Sequence, residues 1–86
     1  AALLLAKPRP SATLPGYADG LVSVQDAGAQ RAAPNLDLED GQRVLDACAA
    51  PGGKAAHILE SAQVALTALD ADPARCRDVA KLLERL

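Results

Sequence analysis

The chain has 86 residues, half of them apolar, and its 9 basic and 11 acidic side chains leave a net charge of −2. That length holds one small domain or a piece of a larger one, and that charge gives phosphate no global attraction, so any nucleic-acid surface must be local. A single aromatic residue, Tyr17, excludes the stacking platform of single-strand binding modules, and the two cysteines, Cys48 and Cys76, lack metal-ligand spacing and fit reduced thiols in the cytoplasm.

The apolar opening Ala1–Ala6 ends at Lys7-Pro8-Arg9-Pro10, far below the ~20 residues a membrane span needs and without the basic region of a signal peptide, so no membrane partner is expected. Residues 1–20 form an irregular lead-in segment, with turns at Leu14-Pro15-Gly16 and Ala18-Asp19-Gly20. Leu21-Val22-Ser23-Val24 is short and apolar enough for a strand. Gln25–Ala33 then reads as a helix, capped by Asp26 and stopped by Pro34, because proline disfavours the helical region for its predecessor.

Polar turn chemistry from Asn35 to Gln42 leads into Arg43–Ala47, a buried strand, and then a small-residue loop from Cys48 to Lys54. Lys54–Ser61 has helical spacing with Ala55, Ile58, Leu59 and Ala62 on one stripe, and Val64–Leu69 is a second buried strand ending at Asp70. Asp72 followed by Pro73 signals a further helix start, since the carboxylate accepts an orphan N–H and proline tolerates the first helical position. Cys76, Val79, Ala80, Leu83 and Leu86 make its apolar stripe, leaving Arg75, Arg77, Asp78, Lys81, Glu84 and Arg85 on a solvated face. The strand, helix, strand order with apolar strands predicts a parallel sheet covered on both faces, which needs further strands. Ala1 in place of a start methionine, and no helix-stop signal after Leu86, predict a piece of a longer protein.

Chemistry is expected at the loop. In doubly wound sheets the ligand lies outside the carboxyl ends of the strands, where a glycine-rich turn admits close approach and a helix N-terminus offers free N–H groups. An acidic residue at the end of the next strand, roughly 20 residues on, can take both ribose hydroxyls, and Asp70 stands there. Asp72 ends the same strand but is claimed by its capping role. The loop lacks both the G-x-x-x-x-G-K-[ST] run of a phosphate-binding loop and the three glycines of a dinucleotide fold, so its spacing predicts a nucleoside-type ligand without a pyrophosphate. Cys48 reads as a small buried cysteine under the turn, Cys76 as core, and His57 as solvated or capping.

Leu45-Asp46-Ala47-Cys48-Ala49-Ala50-Pro51-Gly52-Gly53-Lys54 closely resembles the cofactor motif of the Sun family of RNA 5-methylcytosine methyltransferases, and Pro15-Gly16-Tyr17 through Gly20-Leu21-Val22-Ser23-Val24-Gln25-Asp26 is similar to its bacterial branch acting on small-subunit ribosomal RNA. The resemblance, which runs from about Leu14 to Leu86, implies a Rossmann-like class I S-adenosylmethionine-dependent methyltransferase fold, of which residues 21–86 are the N-terminal part of the α/β catalytic domain. It also implies that Cys48, Ala49, Ala50, Pro51, Gly52, Gly53 and Lys54 line the S-adenosyl-L-methionine pocket, largely through backbone atoms, and that Asp70 holds the ribose. Asp46 is expected to support the loop, and Lys54 to pair with the methionine carboxylate or an RNA phosphate.

The family methylates through a cysteine thiolate that attacks carbon 6 of cytosine, and that cysteine is expected downstream of Leu86, which would leave the 86-residue chain inactive by itself. Ala55-Ala56 departs from the threonines common in the family, so a hydroxyl contact at the helix start is missing. The expected partner is small-subunit ribosomal RNA, the expected state a monomer, with no metal. Two rival readings remain: a non-catalytic remnant that binds S-adenosylmethionine, and a nicotinamide-dependent oxidoreductase, which the missing third glycine disfavours.

Overall fold

The computed structural model describes residues 2–86; Ala1, where the apolar opening begins, lies outside the described residues. Four regular elements carry the fold: β1 (Arg43–Asp46), α1 (Gly53–Ser61), β2 (Ala65–Ala68) and α2 (Pro73–Arg85). β1 and β2 form a parallel pair with Arg43 opposite Ala65 and Asp46 opposite Ala68. Hydrogen bonds extend the pairing past both strand ends, from the Gly41 N–H to the Gln63 carbonyl and from the Leu69 N–H to the Asp46 carbonyl, each at 2.8 Å. Parallel strands require a crossover, and α1 supplies it. The architecture is therefore mixed α/β with a parallel sheet.

α1 forms where alanine, leucine and isoleucine dominate and no proline interrupts. It buries Ala55, Ala56 and Ile58, whereas Leu59, expected on the same stripe, is 41% exposed. α2 begins as its sequence requires: Pro73 occupies the first turn, and the Asp72 carboxylate accepts the Ala74 N–H at 2.9 Å. Ala33, Ala49, Ala55, Ala56, Ile58 and Val79 make up the buried apolar core. Alanines bury little area each, and at about 25 cal/mol per Å² such a core gives modest cohesion. Leu45, expected buried, is 61% exposed on the sheet.

Four expectations in the first half and one in α2 require correction. Leu21–Val24 is not a strand: among the described residues it has no ladder partner, and the Val22 carbonyl accepts a hydrogen bond from the Arg85 guanidinium instead. Gln25–Ala33 is not an α-helix but holds a 3-10 turn at Ala29–Arg31. Gly28 weakens helix formation there by about 1 kcal/mol, and the Gln25 and Gln30 side chains donate to the Ala29 and Gln25 carbonyls, competing with a helical ladder. Pro34 opens a further 3-10 turn, Pro34–Leu36, rather than merely stopping an element, and Asp26 serves through its carbonyl, which accepts the Gln30 N–H, with no side-chain cap formed. On α2, Leu82 is half-buried and Ala80 exposed, so the packed face is turned toward Leu82 relative to the expected stripe, and Arg85 belongs to it.

Among the described residues no helix is long and apolar enough to cross a membrane. Replacing Asp72 with alanine removes the only side-chain cap among the helices described, with the backbone left intact. The expected outcome is a loss of about 1 kcal/mol in chemical denaturation; an unchanged midpoint would show that water replaces the cap without loss.

Candidate cofactor-binding site

The loop between β1 and α1 is built almost wholly from backbone hydrogen bonds. Asp46 ends β1, and its Oδ1 accepts the Cys48 N–H at 3.2 Å, which turns the chain out of the strand. The Ala49 N–H donates to the Leu69 carbonyl at 2.8 Å, prolonging the parallel pairing by one rung and driving the Ala49 side chain into the core. Cys48 therefore faces outward and is exposed, which corrects the expectation that it is buried beneath the turn: Ala49 holds that place. Ala50 is half-buried and Pro51 exposed.

Gly52 is where the turn needs glycine. Its φ of 112° is a backbone state other residues rarely adopt, and a Cβ there would stand 3.1 Å from Leu82 Cδ2 and 3.4 Å from the Val79 Cα. The turn thus lies directly on α2. Gly52 is the residue preceding α1, no side chain caps that end, and its carbonyl accepts the Ala56 N–H at 2.8 Å. The first N–H groups of a helix have no intrahelical acceptors and carry its positive end, so Gly53 and Lys54 present free donors at the mouth of the loop. The Lys54 side chain is exposed.

Asp70 ties the second strand to this loop. Its Oδ2 accepts the Ala50 N–H at 3.3 Å and its Oδ1 accepts the Asp72 N–H at 3.1 Å. The Asp72 N–H above all, helped by the Ala50 N–H and the Arg75 charge, holds the carboxyl below its ordinary pKa against the opposing pull of desolvation. Each carboxylate oxygen has a second lone pair, so Asp70 can accept two further hydrogen bonds from a ligand. Cys76 is half-buried rather than core, and its thiol donates to the Asp70 carbonyl at 3.4 Å. All eight residues expected at the site thus belong to one continuous loop and helix start, or are hydrogen-bonded to it.

His57 is half-buried and makes no side-chain cap, and its Nδ1 is enclosed without a hydrogen-bond partner among the described residues. Beside the loop a cleft of about 480 Å³ is lined by Tyr17, Gln25, Pro51, Gly53, Lys81 and Arg85. Asp70 is not among its walls. Sequence reasoning missed Gln25 and Arg85 as neighbours of the loop. Gln25 lies within the stretch from Pro15 to Asp26 that resembles the family, but neither it nor Arg85 carries a local pattern that says what it packs against. Among the described residues no group of acidic, histidine or cysteine side chains is clustered to hold a metal ion.

Residues 33–86 match the family described as 16S rRNA methyltransferase RsmB/F, and the chain belongs to that family. It is 56% identical over 77 residues to the ribosomal RNA small subunit methyltransferase B of Xanthomonas campestris pv. campestris, covering 88% of this chain and 18% of that protein. The protein of the same name from Klebsiella pneumoniae subsp. pneumoniae is 51% identical over 86 residues, covering 99% of this chain and 20% of the relative. The crystal structure of PH0851 superposes with a TM-score of 0.83 at 30% identity, covering 92% of this chain and 18% of that one. The chain therefore spans about a fifth of the length of the curated relatives it matches.

The lowered Asp70 pKa has a sign that can be tested. A carboxylate whose folded pKa lies below its unfolded value of about 3.9 stabilises the fold above that value, and the contribution is lost as pH falls through the folded pKa. Asp70→Asn should lower the thermal midpoint at neutral pH, and its deficit relative to wild type should shrink as pH drops below about 4. A deficit independent of pH would mean that the Asp70 charge is not what holds the loop.

Proposed function

We propose that this segment holds S-adenosyl-L-methionine for a methyltransferase that forms 5-methylcytosine in small-subunit ribosomal RNA. The observation that carries the reading is Asp70, hydrogen-bonded to the Ala50 and Asp72 N–H groups and still able to accept two ribose hydroxyls. Family membership supports it, as do relatives whose names state methylation of small-subunit ribosomal RNA.

The residues suit that ligand chemically. The uncapped start of α1 at Gly53 and Lys54 offers free N–H groups and a positive end to a methionine carboxylate, and Gly52, packed against Val79 and Leu82, lets the turn that presents them lie on α2. Cys48, Ala49, Ala50 and Pro51 complete the wall mainly through backbone atoms. When bound, the cofactor supplies an electrophilic methyl group on a positively charged sulfur. The role of this segment in the reading is binding: the start of α1 would hold the carboxylate end of the ligand and Asp70 its ribose. Cys48 is a wall residue and Cys76 donates its thiol to Asp70, so neither is assigned the attacking thiolate, which the reading places in family motifs outside Ala1–Leu86.

In this reading residues 21–86 are the N-terminal part of a Rossmann-like class I methyltransferase domain with a doubly wound sheet, and residues 1–20 lead into it. The protein acts as a cytoplasmic monomer. The superposition on PH0851 and the parallel pairing of β1 with β2 support that fold.

The test is thermal protection of the natural full-length protein. S-adenosylmethionine at 100 times its Kd should stabilise it by roughly 2.7 kcal/mol, and Asp70→Ala should abolish the protection. Protection by NAD with no response to S-adenosylmethionine would replace the reading with a dehydrogenase; protection without methyl transfer to ribosomal RNA would leave a binding module.

A further inference from the structure

The last turn of α2 grips the lead-in segment through one side chain. The Arg85 guanidinium donates to the Tyr17 carbonyl at 2.6 Å and to the Val22 carbonyl at 3.0 Å, and its central carbon stands 3.9 Å from the centre of the Tyr17 ring. The gripped chain is itself a folded double turn, closed by the Gly20 N–H on the Tyr17 carbonyl at 3.1 Å and the Leu21 N–H on the Gly16 carbonyl at 3.0 Å. Gly20 has a φ of 74°, and a Cβ there would collide with the Arg85 carbonyl oxygen. The turn is therefore shaped to receive the end of α2 from both sides, carbonyls toward the guanidinium and a bare backbone toward the Arg85 peptide. One guanidinium nitrogen, Nη1, makes both hydrogen bonds while the planar group lies over the Tyr17 ring, a combination for which a lysine ammonium lacks the flat face.

Immediately beyond this turn the chain borders the candidate site. Gln25, three residues after Val22, lies against the start of α1, with its Nε2 3.9 Å from where a Cβ on Gly53 would be. Tyr17, Gln25, Gly53 and Arg85 are walls of one cleft. Leu21–Val24 has no strand partner among the described residues and its Leu21 and Val24 side chains are exposed, so beyond the Leu21 N–H on Gly16 its backbone is held by the Arg85 grip on Val22.

We propose that Arg85 is a positioning residue of the cofactor site: by clamping the Gly16–Val22 turn to α2 it fixes Gln25 against Gly53, and so sets the position of the free amides at the start of α1. This role rests on the reading of the site as one for S-adenosylmethionine. It gives Arg85 no contact with the ligand; its effect passes through Gln25.

The experiment measures S-adenosylmethionine affinity by calorimetry, and the ligand-free thermal midpoint, for the natural full-length protein and its Arg85→Ala, Arg85→Lys, Gln25→Ala and Arg85→Ala/Gln25→Ala variants. Arg85→Ala is expected to weaken binding about ten-fold, with Arg85→Lys intermediate because it keeps the charge but not the planar group over the Tyr17 ring. Gln25→Ala should weaken binding too, and the double variant should be no weaker than Arg85→Ala, since both lie on one line of contact. A clamp that serves the fold alone would lower the midpoint and leave affinity at the wild-type value, and that result, or full additivity of the two substitutions, would overturn the inference. Should Arg85→Ala fail to fold, Arg85→Lys decides: weakening of about three-fold supports the inference and wild-type affinity overturns it. If the wild-type protein itself binds no S-adenosylmethionine, the functional reading falls and the inference with it; if wild type binds and the variants bind equally well, the inference alone falls.

Discussion

Asp70 sits at the end of β2 with one carboxylate oxygen on the Ala50 N–H and the other on the Asp72 N–H. The first bond reaches across 20 residues of sequence to the glycine turn, and the second shapes the start of α2, where Asp72 in turn accepts the Ala74 N–H. Strand end, loop and helix start are thereby fixed to one another through a single charged group. A charged acceptor makes stronger bonds than a neutral one, which matters in a fold whose core is largely alanine. Gly52 completes the arrangement from the α2 side, since only a residue without a side chain lets the turn lie against Val79 and Leu82.

α2 accordingly touches the site at three levels. Its cap shares the Asp70 carboxylate, its middle supports Gly52, and its last turn holds the lead-in segment through Arg85. A helix usually read as a scaffold element here connects residues from Tyr17 to Asp72. The consequence is geometric: the loop that leads to the start of α1 is tied to Asp70 through Ala50 and rests on α2 at Gly52.

The parts of this arrangement legible in the sequence are those specified locally. Asp72-Pro73 reads as a helix start because both residues act within one turn, the Ala-Pro-Gly-Gly-Lys run reads as a loop opening a helix, and the spacing to Asp70 places the acid at the next strand end. Signals fail where the outcome depends on distant partners. Leu21–Val24 has strand composition, but among the described residues no strand pairs with it and Arg85 takes the Val22 carbonyl. Arg85 falls on the charged side of a helical pattern, yet it is drawn inward by Tyr17 and Val22, more than 60 residues earlier. Cys48 and Ala49 are neighbours of similar size, and only the extra rung from Ala49 to Leu69 decides which of them is buried.

The central claim is that the start of α1 and the Asp70 carboxylate receive the two ends of S-adenosylmethionine. Amide chemical shifts of isotope-labelled full-length protein, followed during titration with S-adenosylmethionine, test it residue by residue. The account predicts the largest shifts at the Gly53 and Lys54 amides and at Ala50 and Asp72, whose N–H groups share the Asp70 carboxylate. Saturable binding that leaves those four amides unmoved would place the ligand elsewhere and contradict it.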